Sequence, residues 1–98
     1  MKKWPFDQNE NVAALTTKNV MQNNYPVLAV THYYDDDSWG FYCGTTDDPE
    51  DYMVVSMKEI TDLDSTLFTI SYLKPGMGAG RKNLESEWET FKEEQDAD

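Results

Sequence analysis

Two runs rich in β-branched and aromatic residues, Val27-Leu28-Ala29-Val30-Thr31-His32-Tyr33-Tyr34 and Trp39-Gly40-Phe41-Tyr42-Cys43, are separated only by Asp35-Asp36-Asp37-Ser38. Branched and aromatic side chains suit a pleated, half-buried surface, and Asp and Ser suit a tight reversal, so the segment predicts a hairpin closed by an acidic turn. If Trp39 and Phe41 face the core, alternation turns Tyr42 to the opposite side.

Around this hairpin the chain offers further short elements. Val12 to Leu15, running into Thr16-Thr17, reads as a strand, and Thr17 can cap a helix of about two turns through Lys18 to Gln22 that Asn23-Asn24 ends before Pro26. Tyr52 to Ser56 reads as a third strand. Ser56-Met57-Lys58-Glu59 then fits a capping box, with Ile60, Leu63 and Leu67 near helical spacing behind it. Asp64-Ser65-Thr66 could cap a second short helix, although Leu67 to Leu73 fits a strand equally well. Lys74 to Gly80 is expected to be a loop, because Pro75 and three glycines weaken either regular structure. Leu84, Trp88 and Phe91 predict a terminal amphipathic helix over Glu85 to Glu94. Trp4 and Phe6 are anchors available to an otherwise polar start. The expectation is one α+β domain spanning 1–98, with a small antiparallel sheet of three to five strands, two or three short helices, and frayed ends at 1–10 and 95–98.

Charge narrows the function. The net charge is -11, and no Lys or Arg occurs between Lys18 and Lys58, a window that holds Asp35, Asp36, Asp37, Asp47, Asp48, Glu50 and Asp51. With a pI near 4.2, direct nucleic-acid binding is disfavoured, because each phosphate contact needs Lys or Arg to displace counterions. The same field attracts a basic protein and speeds the encounter. Tyr33 and Tyr42, beside those carboxylates, complete the expected partner-binding set. Exposed tyrosines can stack on arginines that the acids attract.

Several chemical motifs fail on spacing. An EF-hand loop begun at Asp35 would place Trp39 fifth and Thr46 twelfth, without the bidentate glutamate, so no metal site is expected. Gly76-x-Gly78-x-Gly80 is not the dinucleotide pattern, and Lys82 is followed by Asn83 where a phosphate loop needs Ser or Thr. No cofactor is expected. Arg81 and Lys82 are read instead as internal partners for Asp or Glu. Cys43 is the only cysteine, which rules out an intramolecular disulfide and suits a reducing, cytoplasmic address. A catalytic thiolate at Cys43 with His32 as its base would need a lowered pKa and an orienting third group, whereas a lone cysteine in an aromatic strand is usually inert. The first eight residues carry two lysines with no apolar run behind them, so neither a signal peptide nor a membrane span is expected.

The order Ala14 to Val20, Pro26 to His32, Asp37-Ser38-Trp39-Gly40-Phe41-Tyr42-Cys43-Gly44, Val55 to Ile60, Asp64 to Leu67, and Leu73 to Arg81 with Trp88 covers most of the chain. It resembles a family of small bacterial domains, the domain of unknown function numbered twenty-one eighty-five, which overlaps with immunity-protein-like domains of polymorphic toxin systems. The resemblance implies a non-enzymatic antidote that binds and blocks a cognate toxin, and it transfers no catalytic residue. Gly80 departs from it, since a bulkier residue is expected before Arg81. Two other readings compete: a nucleic-acid mimic that occupies a DNA-binding protein, and a small hydrolase built on Cys43 and His32.

Overall fold

The computed structural model describes residues 4–44 and 49–92. In chain order its elements are β1 (Ala13–Thr17), α1 (Lys18–Asn23), β2 (Ala29–His32), β3 (Trp39–Tyr42), a 3-10 turn (Pro49–Asp51), β4 (Tyr52–Ser56), α2 (Met57–Leu63), a 3-10 helix (Ser65–Ile70), β5 (Met77–Gly80) and β6 (Glu89–Lys92). The strands form one sheet in the order β4-β1-β3-β2-β5-β6. The class is α+β, but the sheet corrects the expectation of three to five antiparallel strands. Six strands are present among the described residues, and β1 runs parallel to β3, with Leu15 beside Gly40.

Local chemistry explains most boundaries. Thr17 Oγ1 accepts the Val20 amide at 3.3 Å, and Asn24 ends α1 in the left-handed region at φ 58°. Ser56 and Glu59 form the complete capping box at the start of α2. Asp64 then caps the 3-10 helix through the Thr66 amide, which decides the open choice at Leu67 to Leu73 against a strand.

Two expectations fail. Met77 to Gly80 is a strand, paired with β2 on one side and β6 on the other, although its glycines argued for a loop. Gly78 lies opposite Phe91, and a Cβ added at Gly80 would stand 3.9 Å from the Phe91 ring, so a cross-strand aromatic covers surface that the glycines lack. The helix expected over Glu85 to Glu94 is absent from its described part, residues 85–92, which ends in β6, while 93–94 lie outside the described residues. Trp88 packs on Arg81 with the guanidinium 4.1 Å from its ring, while Leu84 and Phe91 stay largely exposed, so the three apolar residues share no buried face. Pairing with the backbone of β5 decides the conformation of residues 89–92 instead.

Register and alternation give the sheet two unlike faces. On one, Ala14, Val30, Phe41, Val55 and Ala79 meet Val20 of α1, Met57 and Ile60 of α2, and Leu67 and Ile70 of the 3-10 helix in a single buried core. Phe6 joins that core at 5% exposure, its ring edge-on to Trp39 at 5.0 Å, and draws the segment from Trp4 onto the hairpin. No helix among the described residues is long and apolar enough to cross a membrane.

Candidate functional site

The hairpin turn is built by its own side chains. Tyr33 N–H donates to the Ser38 carbonyl at 2.8 Å, Asp36 Oδ1 accepts from Ser38 N and Oγ, and Asp37 takes the left-handed conformation at φ 61°. Those Ser38 hydrogen bonds, first from the hydroxyl and then from the amide, hold the exposed Asp36 carboxyl below the usual carboxylate range. From outside the turn, Gln8 Nε2 donates to the Asp37 carbonyl at 3.0 Å, and Trp39 Nε1 donates to Gln8 Oε1 at 2.8 Å. The turn is therefore fixed at both shoulders.

His32 supports it from below. Its Nδ1 lies 2.7 Å from the Leu73 carbonyl, which can only accept, so Nδ1 carries a hydrogen. Its Nε2 lies 2.6 Å from Asp37 Oδ1, and the ring stacks on Trp39 at 4.1 Å. Both ring nitrogens are thus engaged by oxygens of the protein itself. Cys43 sits at the other end of the hairpin, because His32 pairs with Trp39 while Tyr42 pairs with Ala29. The thiol is buried, with Thr17 Oγ1 at 3.6 Å, and the strand run from Trp39 to Cys43 puts roughly 13 Å between the two groups. The proposed thiolate and base are not brought together.

The acidic window that is continuous in sequence is divided in space. β3 begins just after Asp35–Asp37, whereas β4, which sets Tyr52 opposite Thr17, begins at the end of the sheet where β3 finishes. Glu50 and Asp51, immediately before Tyr52, therefore lie roughly 15–20 Å from the hairpin turn. Asp47 and Asp48 lie outside the described residues. Asp35 and Asp36 are exposed, and Asp37 remains 60% exposed despite its contact with His32.

Between these two ends spreads the sheet face turned away from the described helices. Tyr33 and Tyr42 share a hydroxyl–hydroxyl bond of 2.6 Å there, and the Tyr42 ring tilts against Tyr52 at 5.8 Å. Burial, reinforced by the bond to Tyr33, pushes the Tyr42 phenol well above its ordinary value. A raised folded value means that this stability is complete below the ordinary tyrosine pKa of about 10 and is lost as pH climbs past it. Alkaline titration followed at 295 nm and by circular dichroism should show Tyr42 ionising only as the chain unfolds, and Tyr42→Phe should flatten the loss of stability. Tyr42 lies over Gly40, where an added Cβ would come within 2.6 Å of the ring. Gly40→Ala should displace that ring and lower unfolding free energy by about 1–3 kcal/mol in urea titration.

Sequence reasoning found the turn and both tyrosines but missed this face as a unit. Its signal was the alternation of every strand, which could be assembled only once the strand order was known. Among the described residues no group of three or more His, Cys, Asp or Glu is placed to hold a metal ion. Arg81, whose side chain is 2% exposed, bonds to Asp64 at 3.0 Å and to the Val27 carbonyl, as the internal-partner reading expected. Lys82 is exposed. A cleft of about 450 Å³ lies beside them, lined by Gly80, Trp88 and Phe91 among others. The chain matches no family model, no curated protein and no solved structure among those compared.

Proposed function

We propose that this chain is a non-enzymatic binding protein that docks a basic protein, and that it acts as an immunity-type antidote, neutralising a cognate toxin in the cytoplasm by direct contact. The observation that carries this reading is the preformed acidic turn. Asp35, Asp36 and Asp37 are exposed, the turn is held by Ser38, His32 and Gln8, and the one arginine is committed elsewhere, to Asp64. A fixed carboxylate cluster loses little entropy when it meets arginine or lysine, and the net charge of -11 steers such a partner in.

The nucleic-acid mimic is less well supported, because a mimic needs carboxylates in regular rows. The exposed sheet face has one charged strand residue, Glu89. The hydrolase reading is weakened by the separation of Cys43 from His32.

Growth is the direct test. Expression of the product of the adjacent gene should arrest cells, and co-expression of this chain should restore growth while the two proteins co-purify. An arrest that the chain leaves unrelieved would end the antidote reading.

A further inference from the structure

From the geometry we infer that the partner is seated on the face of the sheet turned away from the described helices, and that the acidic clusters at its two ends guide and frame the contact. This inference rests on the proposed role as a binder of a basic protein, and it moves the contact from the carboxylates to an almost uncharged surface.

Pairing register assigns the face. Leu15 lies beside Gly40 and opposite Val54, Tyr52 lies opposite Thr17, and Tyr42 lies opposite Ala29, all on the side away from the helices. At the far edge Phe91 and Glu89 stand over Gly78 and Gly80. Glu89 is the sole charged residue at these strand positions, in a chain with 28% charged residues. A solvated face of an antiparallel sheet ordinarily alternates to polar side chains. Here Val54 is 62% exposed, Phe91 47% and Tyr52 41%, so large apolar groups meet water where charge was available in the composition.

Size and charge choose the occupant. Six strands spaced at about 4.8 Å, each four or five residues long, make a face of roughly 400 Å², about half of what one partner contributes to a standard interface. The acidic ends at Asp35–Asp37 and Glu50–Asp51 can supply much of the remainder. A second copy of this chain would bring another -11 of charge against the same rims, and nucleic acid would bring phosphates. The complementary occupant is a protein surface with an apolar or aromatic centre flanked at both ends by Arg or Lys. Aromatic anchors packed in the centre would carry most of the affinity, and the rim charges would carry the salt dependence.

The test uses the purified product of the adjacent gene as the probe, titrated against the wild-type chain, Val54→Asp, Val54→Lys and Asp36→Asn at low and high salt. Val54 is exposed, so melting curves should confirm that both of its variants fold. Both should weaken binding at least tenfold at either salt, because either charge must be desolvated on this face whatever its sign. Asp36→Asn should weaken binding severalfold at low salt and little at high salt. If wild type binds and both Val54 variants bind equally well, the sheet face is overturned while the binding role stands. If wild type does not bind, both are overturned. Sedimentation of the chain alone as a dimer that Val54→Asp dissociates would replace the basic partner with a second copy and overturn the inference.

Discussion

Asp64→Ala is expected to destabilise the chain by about 3–5 kcal/mol, a large share of the roughly 5–15 kcal/mol that holds a domain of this size folded. Arg81 is the reason. Its side chain is 2% exposed, Nε and Nη2 donate to the Val27 carbonyl, Nη1 donates to Thr66 Oγ1, and among the described residues Asp64 supplies the one carboxylate bonded to it. Removing Asp64 leaves a guanidinium inside the protein with neutral acceptors alone, and it also uncaps the 3-10 helix at the Thr66 amide. Arg81→Met removes the buried cation too, so the double variant should be less destabilised than the sum of the singles, with a coupling of about 0.5–3 kcal/mol. Urea titrations of the four proteins measure this directly. A loss below 1 kcal/mol for Asp64→Ala would mean that the carbonyl and hydroxyl contacts suffice for Arg81.

Phe6→Ala should cost about 3–5 kcal/mol, the range for removing a buried aromatic ring. The ring is 5% exposed and contacts Trp4, Trp39 and Phe68 at centroid distances of 5.5, 5.0 and 6.2 Å. The consequence extends past the core. Phe6 packs on Trp4, whose Nε1 donates to the Gln8 carbonyl at 2.7 Å, and the Gln8 side chain bridges Trp39 Nε1 to the Asp37 carbonyl. Hydrogen exchange should therefore accelerate at the Tyr33 amide, whose acceptor is the Ser38 carbonyl across the turn. A destabilised variant whose Tyr33 amide keeps its protection relative to the β2–β3 ladder would show that the turn stands without the N-terminal segment.

These two sites mark where the sequence was legible and where it was not. The hairpin, both helix caps and the outward direction of Tyr42 follow from nearest-neighbour chemistry, and each appears where that chemistry puts it. Trp4 and Phe6 were visible as anchors, but what Phe6 packs against is set by residues more than thirty positions away. Met77 to Gly80 and Glu89 to Lys92 were misread for a common reason. A glycine-rich stretch and a helix-spaced one each became a strand because β2 offered an unpaired edge to β5 and β5 in turn offered one to β6, and backbone pairing outweighed local propensity. The division of the acidic window follows from β3 itself, which carries the chain from the turn at Asp35–Asp37 to the opposite end of the sheet before Glu50 and Asp51.

The placement of β1 also bears on how the protein is made. β1 leaves the ribosome before both of its neighbours, β3 and β4, so its pairing is finished only after Ser56, its last partner, has been synthesised. Until then Leu15 and the rest of β1 have no complete neighbourhood. The hairpin can close early, but the sheet must wait for long-range pairing, which makes folding slower than in a helical protein of equal length. Nascent chains halted before Tyr52 should accordingly be protease-sensitive in β1, and those extended beyond Ile60, with the ribosomal tunnel cleared, should not.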